Sequence, residues 1–243
     1  MFHKLKSSDD GGWLSLSDMM TVLMVLFLII SVTIAVTSTN RLANIERLLS
    51  TVAEQEEILC QNLEDNLYKD FLKRDLKIKC NPIRIIFTNP NYEFEKNSYE
   101  LTTSFKNALE KFFPIYLQTV REWEPHTLVD EIRIEGHTDS DGPYIHNMEL
   151  SQDRARNVLN FAIKLPELNE SEAYFEWSKS LLTANGLSYS RRLNQSGEIM
   201  QFPFKDKENK GRSRRVEVKL RTKTKELFMA LQNVSKPLII LEE

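Results

Sequence analysis

The chain has 243 residues, enough for one membrane segment and one domain with its own hydrophobic core. Its net charge of −3, from 32 basic and 35 acidic residues, argues against a nucleic-acid partner, because phosphates require a basic surface. The two cysteines, Cys60 and Cys80, are too few for a disulfide framework and have no His or Cys neighbours at zinc-ligand spacing. They could pair in an oxidising compartment and would stay as thiols in a reducing one.

A polar lead-in, residues 1–12, precedes an apolar segment at residues 13–36. From Met19 to Val36 eighteen consecutive residues carry no charge, which is the length that an α-helix needs to cross a hydrocarbon core of about 30 Å. The segment is longer than the apolar core of a signal peptide and ends without a small-residue cleavage motif. We therefore predict a retained transmembrane helix, although basic residues balance on its two sides and leave its orientation open.

Asp18 lies at the edge of this uncharged run, five residues after Trp13. An ionisable group at membrane depth costs about 2.5–3.5 kcal/mol on insertion scales, so such a group faces a partner or an aqueous path. Thr21, three residues later, offers a hydroxyl to the same place. The alternative is an Asp that only caps the helix N-terminus. Trp13 and Leu14 weigh against capping, because apolar contact begins before Asp18.

Residues 37–79 are predicted to form an amphipathic helical linker. Its apolar positions recur at spacings of three, four or seven, and they are Leu42, Ile45, Leu48, Val52, Leu59, Leu63, Leu67 and Phe71. This stripe could pair with a second copy or pack on the chain's own domain, and the imperfect heptads leave both open. Residues 31–40, rich in Ser, Thr and Val, predict a bend or looser turns.

From Cys80 the pattern predicts a mixed α/β domain at residues 80–222, followed by a short helix and tail within 223–243. Strands are predicted at 83–87, 128–135 and 214–221, and helices within 99–122, 149–165 and 170–184. Pro114 should kink or divide the first of these helices. The whole chain is thus α+β, with one transmembrane helix, a helical linker and an α/β sandwich.

A dense polar cluster, residues 136–142, directly follows the strand predicted at 128–135. A calcium loop is excluded because the twelfth position from Asp139 is Leu150 rather than Glu. A transition-metal site would need a distant ligand, since alternate residues of an extended chain face opposite sides. No nucleophile in a strained turn supports catalysis, so we predict no enzyme, metal or cofactor. A structural turn with Ser151 as helix N-cap stays open.

The cluster and the helix after it resemble the peptidoglycan-binding signature of OmpA-like domains. The matching residues are Gly136-His137-Thr138-Asp139, Gly142, Asn147, Leu150-Ser151 and Arg154-Ala155, with a closing element at Ser213-Arg214-Arg215-Val216-Glu217. The resemblance implies that Asp139 and Arg154 hold the diaminopimelate of the stem peptide, with Thr138, Asn147 and Arg215 in the same site. A carboxylate suits the ammonium group, and a guanidinium suits the carboxylate.

Two departures from the OmpA-like pattern lie at the rim of the implied site. Ser213 stands where the family has Asn, and residues 186–211 differ from the family in having no Gly-Tyr-Gly-type loop before the closing strand. They leave the Asp139 and Arg154 positions intact and put the affinity for the wall in question.

The membrane segment is similar to the ion-carrying helix of MotB-type stator subunits. The resemblance rests on Trp13, Ser17-Asp18-Met19-Met20-Thr21, Leu23-Met24 and Phe27-Leu28. It implies that Asp18, with Thr21 beside it, carries the transported ion, H⁺ or Na⁺. Because peptidoglycan lies outside the inner membrane, residues 1–12 are then cytoplasmic and the domain is periplasmic. An intramolecular or cross-dimer disulfide between Cys60 and Cys80 is then allowed.

Within this class, the short lead-in, the helical linker and an extra stretch at 166–177 resemble the ZorB family, the MotB-like component of the Zorya anti-phage defence system. The resemblance implies a homodimer inside a pentameric ZorA-like channel, anchored to peptidoglycan and driven by an ion gradient across the inner membrane. Two alternatives stay open. One is a flagellar MotB-type stator subunit, and the other is a passive anchor between inner membrane and wall without ion conduction.

Overall fold

The computed structural model describes residues 10–92, 94–95, 97–123 and 128–223, without the side chains of residues 10–17 and 49. The helix and tail expected within 223–243, most of the lead-in and the side chain of Trp13 lie outside the described residues. Residues 10–51 and residues 52–226 belong to two separate compact units, which are described in turn.

The first unit is helical throughout its described part. Helix α1 spans Asp10–Asp70 and continues from this unit into the second. The bend or looser turns expected at residues 31–40 do not interrupt the helix; the Thr33 and Thr37 hydroxyls donate to carbonyl oxygens one turn earlier, each at 2.7 Å. The part of α1 that begins at Asp18 is long and apolar enough to cross a membrane, and its large apolar side chains from Met19 to Val36 are exposed.

The last turns of α1 pack into the core of the second unit. The side chains that carry this contact are fully or almost fully buried: Leu59, Leu63, Leu67 and Phe71. The indole Nε1 of Trp123 donates to the carbonyl oxygen of Gln55 at 3.1 Å, a polar contact within the second unit between the end of α1 and the residue after α2. Over this part, the amphipathic stripe therefore packs on the chain's own domain.

The second unit is built on one five-stranded sheet in the order β1-β2-β5-β3-β4. The strands are β1 Leu76–Cys80, β2 Ile83–Phe87, β3 Val129–His137, β4 Leu182–Gly186 and β5 Arg215–Thr222. Strands β3 and β4 are parallel, and the other neighbours are antiparallel. The predictions of a helical linker up to residue 79 and of a helix within 170–184 are wrong at their ends, because β1 and β4 form there.

Helices cover one face of the sheet and give the predicted α/β sandwich. They are the end of α1, α2 Thr103–Glu122, α3 Tyr144–Ala162 and α4 Glu172–Leu181, and a short α5 Lys210–Ser213 precedes β5. Pro114 lies inside α2 without dividing it. The opposite face of the sheet carries charged side chains, among them Arg84, Glu135 and Glu217.

Helix α3 begins earlier than the sequence pattern predicts. It starts at Tyr144 rather than near Glu149, with Pro143 at the N-cap position and no side-chain cap. The interpretation of Ser151 as an N-cap is therefore wrong, since Ser151 lies two turns inside the helix. Its hydroxyl donates to the carbonyl oxygen of Met148 at 2.9 Å instead.

Two glycines at the ends of β3 and β4 allow α3 to lie directly on the sheet. Gly136 and Gly186 are cross-strand partners. A Cβ on Gly136 would stand 2.1 Å from the carbonyl oxygen of Ser151, and one on Gly186 would stand 2.4 Å from the Gln152 nitrogen. The Ser151 hydroxyl also accepts a hydrogen bond from the Ser188 nitrogen at 2.9 Å. The start of the polar loop is therefore fixed against α3.

A disulfide between Cys60 and Cys80 joins α1 to β1 within the second unit. Of the two pairings that the sequence leaves open, the structure contains the intramolecular one. The bond closes a segment with a sequence separation of 20 residues, so it constrains the unfolded chain.

Replacing Gly136 with Ala should destabilise the domain by about 2–4 kcal/mol, because the new methyl group meets backbone that cannot turn away. Thermal unfolding of the detergent-solubilised full-length chain measures this. The control is Gly211→Ala, where the nearest atom to the new Cβ is Asn209 Oδ1 at 3.6 Å. Equal midpoints for the two variants would contradict the close approach of α3.

Reducing the disulfide should lower the free energy of unfolding by about 3 kcal/mol, from the loop-closure entropy that it removes from the unfolded chain. In a domain of this size the unfolding midpoint falls by about 10 °C. The measurement compares the full-length chain with and without reductant. The Cys60→Ser/Cys80→Ser variant should start at the lower midpoint and not respond, and a wild-type midpoint insensitive to reductant would refute the prediction.

Candidate functional site

The loop between β3 and α3, residues 138–143, is held together by its own hydrogen bonds. Asp139 Oδ1 accepts from the Asp141 nitrogen at 3.0 Å, and Asn147 Nδ2 donates to the Asp141 carbonyl oxygen at 2.7 Å. Gly142 has a φ of 89°, in the left-handed region that glycine adopts without strain. These contacts fix Asp139 at the end of the sheet and give Asn147 the role of a loop support.

The Asp139 carboxylate is almost fully buried and forms an ion pair. Its Oδ2 accepts from Arg214 Nη1 at 2.8 Å, across 75 positions of sequence. Arg214 comes immediately before β5, whereas Arg215 begins it. No sequence pattern marks Arg214, rather than Arg215, as the partner of Asp139. The available clue was the adjacent pair Arg214-Arg215. Neighbouring residues of an extended chain face opposite sides, so only one of the two arginines could join the polar face of the sheet.

The Arg154 side chain is fixed by the segment that precedes α2. Its Nε donates to the carbonyl oxygen of Ser98 at 2.9 Å, and its Nη2 donates to that of Glu95 at 3.2 Å. The guanidinium also lies over the Phe94 ring, 4.8 Å from the ring centre. No sequence motif marks Phe94, Glu95 or Ser98 as neighbours of Arg154, so the sequence analysis missed them.

Arg154, Arg214 and Arg215 line one cleft of about 560 Å³. Asp139 is absent from the described lining residues and sits behind Arg214. The structure therefore brings the two predicted ligand-binding residues to the same place, with Arg154 in the cleft wall and Asp139 one contact removed. Such an arrangement can bind a carboxylate through guanidinium groups and attract an ammonium group toward Asp139.

Thr138 lies behind the cleft rather than in its described lining. Its nitrogen donates to the Ser188 carbonyl oxygen at 3.0 Å, so its backbone ties β3 to the segment after β4. Its buried hydroxyl has no hydrogen-bond partner among the described residues. Thr138 thus supports the loop, as Asn147 does.

Arg215 belongs mainly to the polar face of the sheet. Its Nε donates to Glu217 Oε1 at 2.5 Å, and its Nη1 and Nη2 donate to the carbonyl oxygens of Ser213 and Arg191 at 3.1 and 3.2 Å. With only 8% of its surface exposed, Arg215 holds the rim of the cleft in place. The sequence predicts that Arg215 belongs to the binding site, and in the structure its role there is that of a supporting residue.

Glu135, His137 and Glu217 form a buried cluster whose ligand atoms lie within 4.8 Å of one another, a set of residue types that could hold a metal ion. The carboxylate of Glu217, however, already has Arg215 at 2.5 Å and Arg84 at 3.8 Å. Burial and Arg215 lower the pKa of His137, so its imidazole is neutral. We interpret the cluster as an ion-pair network that orders β3 and β5.

In the first unit, Asp18 and Thr21 lie one turn apart on α1. The Thr21 hydroxyl donates to the Asp18 backbone carbonyl oxygen at 2.8 Å. The next acidic residue along the chain is Glu46, so Asp18 is the acid of the apolar segment. Its place in the helix agrees with the position that the sequence analysis gives it.

Comparison with known proteins identifies both parts of the chain. The model of the OmpA family matches residues 93–215. Zorya protein ZorB of Escherichia coli (strain Crooks) is 30% identical over 226 residues, covering 89% of this chain and 90% of that protein. Zorya protein ZorB of Escherichia coli O139:H28 (strain E24377A) is 29% identical over 224 residues, covering 89% and 84%.

Among solved structures, a MotB-like protein from Desulfovibrio vulgaris superposes with a TM-score of 0.51 at 20% identity. The match covers 72% of this chain and 99% of that one, and it shows that the two share a fold. The extent of the sequence matches, over nearly the whole chain, decides the family. The chain belongs to the ZorB family of Zorya proteins, and its residues 93–215 form a domain of the OmpA family.

Proposed function

We propose that the chain is the peptidoglycan-anchored subunit of an ion-driven motor complex in the bacterial inner membrane, acting in defence against phages. The observation that carries this proposal is the presence of two features on one chain. One is Asp18 in the apolar segment of α1, and the other is the Arg154 cleft with Asp139 behind it. The kinship with Zorya protein ZorB supports the role in defence.

The cleft anchors the complex to the cell wall. The Arg154 guanidinium binds a carboxylate of the diaminopimelate in the stem peptide, and Asp139 binds its ammonium group in competition with Arg214. Because carbonyl oxygens of Ser98 and Glu95 already hold Arg154, little side-chain entropy is lost on binding. Thr138, Asn147 and Arg215 keep the walls of the cleft in position.

Asp18 carries the transported ion, H⁺ or Na⁺, with Thr21 beside it. Two copies of the chain place two Asp18 carboxylates at the interface with a pentameric ZorA-like channel subunit. Binding of an ion neutralises one carboxylate and lowers the cost of placing it at an apolar contact. The ring can then move relative to a dimer that the wall holds still.

This function requires a single-pass topology with a cytoplasmic N-terminus and a periplasmic domain. The disulfide between Cys60 and Cys80 supports that placement, because disulfides form and persist in the periplasm and are rare in the cytosol.

Replacing Asp18 with Asn should abolish protection against phages while leaving wall binding unchanged. The reason is that the amide is uncharged and cannot bind and release the transported ion as a carboxylate does. Plaque formation on cells that carry the complete system measures protection. The control is Glu46→Gln, at the next acidic residue of the same helix, which should protect normally. Full protection by Asp18→Asn would leave a passive anchor as the better function, and an effect on swimming alone would favour a flagellar stator.

Replacing Asp139 and Arg154 together with Ala should weaken binding to purified peptidoglycan by tenfold or more, since charged hydrogen bonds contribute about 1.5–3 kcal/mol each. Sedimentation of the solubilised full-length chain with peptidoglycan measures the affinity, and thermal unfolding reports whether the variant folds. The matched control is Asp153→Ala/Arg156→Ala, an exposed ion pair on α3 at 2.8 Å. Unchanged binding by a folded double variant would rule out this site.

A further inference from the structure

The cleft carries more positive charge than the proposed binding of diaminopimelate uses. Among the described residues that line the cleft, eight are Lys or Arg, and there is no Asp or Glu. Four of the basic residues belong to β1 and to the turn between α1 and β1, and they are Lys73, Arg74, Lys77 and Lys79. These positions lie before residues 93–215 and so outside the matched part of the OmpA family.

Among the described residues, few carboxylates lie close to these four basic side chains. In the part of the chain that the structure describes, neither Lys77 nor Lys79 has a carboxylate within 4.0 Å, and Arg212, which lines the same cleft from α5, donates to the Gln195 carbonyl oxygen instead. Arg74 reaches Asp75 only at 3.9 Å, with an 82% exposed side chain. The cleft thus presents an excess of positive charge to whatever enters it.

The strand pairing makes this excess costly. Lys79 and Arg84 stand directly opposite each other on β1 and β2, and like charges in that position destabilise a sheet. Arg84 is compensated by Glu217 at 3.8 Å. Burial, together with Arg84 and Lys77, lowers the pKa of Lys79, which is the sign of an ammonium group without sufficient counter-charge.

Lysines on an edge strand also discourage pairing with another sheet, and β1 is an edge strand. That role does not explain Arg212, which faces the same cleft from a different segment. It also does not explain why no carboxylate residue is found among the described residues that line the cleft. An anionic ligand explains the lysines of β1, the presence of Arg212 and the described lining without carboxylates, because the ligand supplies the missing negative charge.

We propose that Lys77 and Lys79, with Arg212 of the same cleft, form a second subsite that binds a further carboxylate of the stem peptide. This inference rests on the proposed wall-binding function. A stem peptide carries carboxylates besides those of diaminopimelate, and amidation removes their charge while keeping their shape. The chain therefore prefers stem peptides with free carboxylates over amidated ones.

The test is calorimetric titration of the solubilised full-length chain with two soluble muropeptides that differ only in amidation of the stem glutamate carboxyl group. The wild-type chain should bind the free acid about twofold to fivefold more tightly, the range expected for a solvent-exposed ion pair. The Lys77→Gln/Lys79→Gln variant should bind both muropeptides with the affinity that the wild type has for the amidated one.

The matched control is Lys106→Gln/Lys111→Gln, which removes two exposed lysines from α2, outside the cleft, and should keep the preference. If the wild type binds both muropeptides equally, the subsite is refuted and wall binding stands. If it binds neither, the proposed function fails as well.

Vesicles that contain phosphatidylglycerol test the other source of an anion, a lipid headgroup. The proposal expects the Lys77→Gln/Lys79→Gln variant and the wild type to bind these vesicles equally. Weaker binding of vesicles by the variant, combined with an unchanged muropeptide preference, would assign the basic residues to the membrane surface and overturn the proposal.

Discussion

The contact between α3 and the ends of β3 and β4 is the constraint on which the site depends. Gly136 and Gly186 stand side by side, and neither leaves room for a Cβ between the strand and the helix backbone. Since α3 cannot move away, Arg154 on its second half is carried to the segment before α2. The polar loop that starts beside Gly136 is held at the same end of the sheet, with Asp139 at its base.

Charge balance then decides what the cleft can bind. Asp139 is turned toward Arg214, and Glu217 toward Arg215, so the nearby carboxylates are engaged inside the protein. The positive side chains that line the cleft remain in excess of them. Burial alone would raise the pKa of Glu217, but Arg215 and Arg84 lower it, which keeps the carboxylate charged. The sheet is thereby stable as an ion-pair network, and the cleft suits an anion.

The sequence predicted the central strands and the helices that cover them, because these elements have clear apolar periodicity. It missed both edge strands. In β1, Leu76, Ile78 and Cys80 alternate with lysines, and so short a run reads as a continuation of the preceding helix. In β4, the residues Leu182–Gly186 have little β propensity, and pairing with β3 makes them a strand. Tertiary pairing, rather than local preference, decided both.

The sequence by itself determined the apolar segment, the acid within it and the residues of the wall-binding signature, since each is a matter of residue type and short spacing. Only the tertiary structure decided that Arg214 is the partner of Asp139, that Phe94 lies under Arg154, and that Cys60 bonds to Cys80. It also brought the lysines of β1 to the cleft. The reason is physical: these contacts join residues far apart in the chain, and their pairing depends on strand order, which no local pattern encodes.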